Sequence, residues 1–249
     1  MTFTPQTKAH LRPAMTRLQK LLRLAANPQY WRFLARGVAP SVEHRGPLRS
    51  LQPATVIDVG ANKGQFSAFA AVNWRASELI AFEPLPAPRT TYTALLGRRA
   101  TMFPYAAGAA EATAEIRVAS RDDSSSLLPL GSRQKTLFHM DEVGVETVVV
   151  RPLDDCLDGE ALKSPVLLKI DVQGFELEVL KGAVRILKNV SAVYVECSYV
   201  ELYEGQAIAH EIITFLETHG FSQAGEFNLM SDAKGLAIQA DLLFLRSNS

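Results

Sequence analysis

The chain has 249 residues, 47% of them apolar and 21% charged, with 26 Lys and Arg against 26 Asp and Glu. That length buries a substantial core without staples. The balanced charge excludes the strong positive field of a nucleic-acid binder, and no apolar run is long enough to cross a bilayer. The two cysteines, Cys156 and Cys197, form neither a CxxC pair nor part of a Cys/His cluster, which fits reduced thiols in a cytoplasmic protein. No apolar core followed by a cleavage site marks the N-terminus as a signal peptide.

Residues 1–53 read as a helical extension. Leu11, Met15, Leu18, Leu22 and Ala25 recur at helical spacing among bases, and Glu43 is the one acid before Pro53. A helix lying on a membrane surface is one reading. A cap packed on the rest of the chain or on a second subunit is the other, and it is preferred because basic amphipathic helices are common.

Residues 54–249 read as one α/β domain. Strands are expected at Thr55–Val59, Leu79–Phe82 and Thr101–Tyr105, with helices at Gly64–Val72 and Ala87–Arg98 between them. Such alternation implies a mostly parallel sheet with helices on both faces. An inserted strand pair, Glu115–Ala119 and Val145–Arg151, flanks a polar loop from Ser120 to Gly144 that carries Asp122, Asp123, Ser124, Ser125, Ser126 and His139. The alternation resumes with a strand at Pro165–Ile170, a helix at Phe175–Leu187, a strand at Ala192–Val195 and a helix at Ala207–His219. Phe221–Phe227 and Ala240–Leu245 close the sheet with an antiparallel strand.

The first strand runs into Asp58-Val-Gly60-Ala61-Asn62-Lys-Gly64. Ligands of open α/β sheets bind beyond the carboxyl ends of the strands, where glycines let backbone approach them. A dinucleotide fingerprint needs glycine where Asn62 stands, and the Asp58 carboxylate would repel a pyrophosphate. Both features disfavour a nicotinamide oxidoreductase and suit S-adenosylmethionine, which carries an ammonium, a sulfonium and no phosphate. Glu83 and Pro84 end the second strand, where a carboxylate accepts ribose hydroxyls. Ala106 and Ala107, past the third, are placed beside the adenine. A second acidic group gathers at the same edge: Asp171 closes a buried strand, Glu176 opens the following helix and Glu196 ends the next strand. Three carboxylates at adjacent strand ends suggest proton chemistry. A divalent cation is conceivable but not expected, since no ligand spacing is decisive. Lys169 reads either as a tuned base or, preferably, as a salt-bridged lysine; His139 reads as a solvated loop residue.

The stretches "VIDVGANKGQFS", "AFEP", "SSSL", "VRPLDDCL", "LLKIDVQGFELEVLKGA", "YVE" and "DLLFLR" resemble the FkbM family of S-adenosylmethionine-dependent methyltransferases, over about Thr55 to Arg246. The resemblance implies a class I methyltransferase (Rossmann-like) fold and O-methylation of a hydroxyl on a sugar or natural product. It carries Gly60, Asn62, Gly64 and Glu83 over as cofactor contacts, and Asp171, Gly174 and Glu176 as the active-site edge. Where many members have Glu, this chain has Gln173, which weakens a metal site. The competing expectation is a non-catalytic adenosyl-binding scaffold docked through its N-terminal helix. A homo-oligomer is left open.

Overall fold

The structure, a computed structural model, describes residues 17–121 and 124–247. In chain order it runs α1 (Arg17–Ala25), α2 (Pro28–Leu34), a 3₁₀ turn (Val42–Arg45), β1 (Thr55–Val59), α3 (Gln65–Asn73), β2 (Glu78–Phe82), α4 (Pro86–Leu96) and β3 (Ala100–Phe103). The insertion follows, with β4 (Ala106–Ala107), β5 (Ala112–Ala119), α5 (Ser132–Phe138) and β6 (Glu142–Arg151). After α6 (Leu153–Cys156) come β7 (Val166–Ile170), α7 (Glu176–Lys181), α8 (Val184–Leu187), β8 (Ala192–Ser198), α9 (Ala209–Thr218), β9 (Phe221–Ser231) and β10 (Ala237–Arg246).

The central sheet is ordered β3-β2-β1-β7-β8-β10-β9. Its first five strands are parallel, and β10 runs antiparallel to both β8 and β9. This is the α/β sheet with an antiparallel closing strand that the class I methyltransferase expectation requires. Every residue of β1 and of β7 is buried, as strands covered on both faces must be. The chain works outward from β1 to β2 and β3, then restarts at β7 on the other side. The β1/β7 junction is therefore the switch point, and its carboxyl end opens a crevice.

The insertion is a separate three-stranded sheet, β4-β6-β5; the expected strand pair is β5 and β6, which run antiparallel. The loop between them also holds α5. The single helix expected over Phe175–Leu187 is two, α7 and α8. It breaks at Gly182, where a Cβ would lie 2.0 Å from the carbonyl oxygen of Gly108.

The N-terminal segment shares the core of the domain. Leu24, Tyr30, Phe33, Val42 and Leu48 are buried in one cluster with Val56, Phe66, Phe69 and Trp74. Asn73 donates to the Tyr30 hydroxyl at 2.8 Å and Trp74 donates to the Leu51 carbonyl at 3.0 Å. Lys20 of α1 pairs with Glu43 at 2.9 Å. The outer faces of α1 and α2 leave Leu18, Leu21, Leu22 and Trp31 exposed. Leu11 and Met15, the first turns of the expected N-terminal helix, lie outside the described residues, as do Asp122 and Asp123 of the loop. Among the described residues no helix is long and apolar enough to cross a membrane.

Candidate active site

Two adjoining pockets open at the carboxyl edge of β1, β2 and β7. They share Gly60, Asn62, Asp171 and Gln173.

The first pocket, about 620 Å³ with its mouth, is walled by Phe82, Leu85, Ile116, Leu127, Val172 and Phe175, and Glu83 reaches into it. Gly60, Asn62, Pro84, Ala106 and Ala107, all expected at the cofactor, line it as well. Glu83 is 6% exposed. Its Oε2 accepts the Asn62 backbone N–H at 2.9 Å and its Oε1 accepts the Leu85 N–H at 2.8 Å. Burial pushes this carboxyl up to about 7, and the two backbone donors oppose the rise. Each oxygen keeps a second lone pair, so a vicinal diol can still be received.

The turn between β1 and α3 is shaped from below. Gly60 has φ 76°, and a Cβ there would lie 1.9 Å from the carbonyl oxygen of Asp171, so the turns after β1 and β7 pack backbone against backbone. Asp58 and Gly64 line neither pocket. Asp58 is fully buried, accepting from Ser67 at 2.7 Å and pairing with Lys169 at 3.2 Å, while Gly64 is the left-handed residue that begins α3. Ala61 lines the second pocket instead of the first.

The second pocket is larger and mostly polar. Its walls include Lys169, Asp171, Gln173, Tyr194, Glu196 and Asp241, with Phe66, Phe138, Met140 and Met230 as apolar patches. Lys20, Ser41, Glu43 and His44 close it from the N-terminal segment. The Lys169 ammonium lies 3.2 Å from Asp58, 3.6 Å from Asp171 and 3.4 Å from the Gly60 carbonyl. Burial alone would lower its pKa, but Asp58 and Asp171 outweigh it and hold the group above the ordinary lysine range, so it stays a cation.

Asp171 and Glu196 are joined by one amide. Gln173 Nε2 donates to Asp171 Oδ1 at 2.8 Å and to Glu196 Oε2 at 2.9 Å, while its Oε1 accepts from the Tyr203 hydroxyl at 2.7 Å. The left-handed backbone of Gln173, φ 57°, aims the side chain there. Glu196 stands opposite Asp241 in the β8/β10 register. Burial, then the charges of Asp171 and Asp241, raise the Glu196 carboxyl well above its ordinary value. Among the described residues no group of His, Cys, Asp and Glu is arranged to hold a metal ion.

Glu176 does not reach the crevice. It is 3% exposed, lines neither pocket, and its Oε1 accepts the backbone N–H groups of Val172 and Gly174 at 3.2 and 3.0 Å. Its position at the head of α7 sends the carboxylate under the loop that carries Gln173. His139 caps the end of α5 and is exposed, away from both pockets. The serine run folds back on the chain: Ser126 Oγ donates to the Gln173 carbonyl at 2.6 Å, and the Ser124 carbonyl lies 3.1 Å from the Tyr203 hydroxyl, whose proton goes to the nearer Gln173 Oε1. Three residues that sequence reasoning missed, His44, Tyr194 and Asp241, form one hydrogen-bonded group in the second pocket.

An apolar slot with a ribose-ready carboxylate, at the switch point of a mostly parallel sheet, fits S-adenosylmethionine, and Asp171 supplies a negative charge where the pocket meets its neighbour. The fold and site together define an S-adenosylmethionine-dependent methyltransferase of class I. The model of the Methyltransferase FkbM domain matches residues 58–222, well over half of the chain, and the chain belongs to that family. It is 28% identical over 170 residues to "2-O-methyltransferase NoeI" of Sinorhizobium fredii (strain NBRC 101917 / NGR234), covering 65% of this chain and 70% of that protein. It is also 28% identical over 193 residues to "Methyltransferase 1" of Beauveria bassiana (strain ARSEF 2860), covering 69% and 73%. Among solved structures it is similar to magnesium protoporphyrin IX methyltransferase (ChlM) of Synechocystis PCC 6803 with bound SAM, at 12% identity and a TM-score of 0.45 over 95% of this chain and 86% of that one.

Proposed function

We propose that this methyltransferase acts on a hydroxyl of a sugar or natural-product-type small molecule. The observation that carries the reading is the second pocket. It adjoins the cofactor pocket across Gly60, Asn62, Asp171 and Gln173, and it combines hydrogen-bonding side chains with scattered apolar patches, the surface a polyhydroxylated ring requires. The name of the NoeI relative, a 2-O-methyltransferase, agrees.

S-adenosylmethionine supplies an electrophilic methyl group on a sulfonium. In this reading Gly60, Asn62, Glu83, Pro84, Ala106 and Ala107 hold the cofactor, with Glu83 on the ribose hydroxyls. Asp171 sits at the methyl-transfer end, and Glu196 acts on it through the shared Gln173 amide. Lys169, already committed to Asp58 and Asp171, serves as a fixed positive charge that eases build-up of negative charge on an acceptor oxygen. Glu176 holds the Val172–Gly174 turn in shape. The described part of the N-terminal segment, residues 17–53, is read as an integral wall of the acceptor pocket instead of a separate docking module, and the protein as cytoplasmic.

A screen of glycosides and other hydroxylated small molecules for S-adenosylhomocysteine release tests the proposal. Release that depends on a hydroxyl acceptor supports it. Cofactor binding without release from any acceptor, or release only with amines or thiols, overturns it.

A further inference from the structure

We propose that His44, set by Tyr194 and Asp241, takes the proton from the acceptor hydroxyl; this rests on the hydroxyl-methylation reading above. His44 stands in the 3₁₀ turn before β1, outside the residues matched by the family model, as does Asp241 on β10. The fold brings both to the wall of the second pocket.

The hydrogen bonds fix which ring nitrogen carries the proton. Tyr194 donates its hydroxyl proton to Asp241 Oδ2 at 2.8 Å, and Asn228 donates to the same oxygen at 2.6 Å. The Tyr194 oxygen, its proton committed, then accepts from His44 Nδ1, 3.0 Å away. Nδ1 is also 3.6 Å from Asp241 Oδ2, a second reason for the hydrogen to sit on that side. The network therefore assigns the Nδ1–H tautomer and leaves the lone pair on Nε2. The ring is clamped edge-on by Phe66, Phe69 and Tyr194 at centroid distances of 5.4, 6.4 and 5.3 Å.

The other groups around the pocket are poorly suited to the task. Lys169 is held as a cation, burial keeps the Tyr194 phenol well above its ordinary value, and Asp171 and Glu196 share the Gln173 donor. His44 is the one imidazole among the described residues lining the pocket. It is also close to the reacting end. Tyr194 lies opposite Lys169 in the β7/β8 register, and the Lys169 ammonium is 5.7 Å from the centroid of the same Phe66 ring that packs on His44.

The step balances. The hydroxyl oxygen forms the new C–O bond with one of its lone pairs, the electrons of the methyl C–S bond return to sulfur, and the hydroxyl proton passes to Nε2 to give an imidazolium. That cation is stabilised through Tyr194 by the Asp241 carboxylate. Release of the proton to solvent restores the neutral ring.

Two measurements on the full chain test this. The first needs no acceptor: ¹⁵N imidazole spectra of the free protein, with the His44 signals identified by their loss in His44→Gln. The Nδ1–H tautomer is expected, and its dominance should be lost in Tyr194→Phe; an Nε2–H tautomer in the wild type overturns the assignment. The second uses a hydroxyl acceptor found in the S-adenosylhomocysteine screen. His44→Gln should bind S-adenosylmethionine like the wild type, keep KM for the acceptor within a few-fold, and lose roughly 10²–10⁴ in kcat. Tyr194→Phe, which only positions the ring, should lose less. Unchanged kcat in folded His44→Gln overturns the role of His44 while hydroxyl methylation stands. A wild type that methylates amines or thiols and no hydroxyl overturns both.

Discussion

Gln173→Glu exchanges one atom and inverts the logic of the carboxyl edge. The wild-type amide donates both of its hydrogens, to Asp171 at 2.8 Å and to Glu196 at 2.9 Å, and accepts from Tyr203. The variant keeps the acceptor for Tyr203 and loses both donors. Hydrogen bonds to charged groups contribute about 1.5–3 kcal/mol each, so the two together amount to roughly 3–6 kcal/mol. A third negative charge about 3 Å from two others adds repulsion of several kcal/mol at an effective dielectric near 20. Part of that is relieved by binding a proton, since Glu196 is already held well above its ordinary pKa. The expected net cost is about 3 kcal/mol or more near neutral pH, shrinking as the pH falls and the cluster is protonated. Denaturant unfolding of both proteins across pH 5–8 measures it. Mg²⁺ or Ca²⁺ titrated into the same samples should recover stability in the variant and not in the wild type, because three carboxylates present the oxygen ligands these ions take. Equal unfolding free energies for variant and wild type at pH 7 would refute the view that Gln173 is the neutral bridge of this site.

Glu83→Ala should weaken S-adenosylmethionine binding at least tenfold by calorimetry on folded protein, given about 1.5–3 kcal/mol for each charged hydrogen bond lost; unchanged affinity would remove Glu83 from the cofactor site. Lys169→Met strands the fully buried Asp58 carboxylate without its cation, and should cost about 3–5 kcal/mol in denaturant unfolding; a loss below about 1 kcal/mol would show that Ser67 alone satisfies Asp58. Glu176→Gln tests the buried turn carboxyl, which burial pushes from 4.5 up to about 7. In the wild type the folded chain retains this proton after the unfolded chain has released it, so the group's contribution is complete below pH 4.5 and falls away by about 3 kcal/mol as pH rises through 7. The glutamine variant cannot titrate there, so its stability should decline less than the wild type's between pH 4.5 and 7.5; parallel pH–stability curves would contradict the buried, shifted carboxyl.

The residues proposed to hold the cofactor could be read from the sequence because they are local. The strand, the glycine turn and the carboxylate at the next strand end each fall within a few residues, and β1 appeared over Thr55–Val59 as expected. Asp58 and Glu176 were misplaced by the same local view. Position relative to a strand end or helix start gives the edge of the sheet, but not whether a side chain turns into the crevice or under the loop. Gly60 shows the limit from the other side: the backbone it must accommodate belongs to Asp171, 111 positions along the chain. The second pocket, proposed above as the acceptor side, was less legible because pairs as distant as these join its local Lys169–Gln173 stretch to the rest of the wall. His44 meets Tyr194 across 150 residues, and Tyr194 meets Asp241 across 47. Both His44 and Asp241 lie outside residues 58–222, where the family pattern resides. A segment that counts as a basic, amphipathic extension by composition buries Phe33 and Val42 in the core of the domain and carries His44 into the second pocket. The first pocket is lined wholly by family-matched residues, whereas the second adds His44, Asn228, Met230 and Asp241 from outside them. In the proposed reading, exchanges in the N-terminal segment or the closing strand would alter the acceptor wall without touching any residue that lines the first pocket.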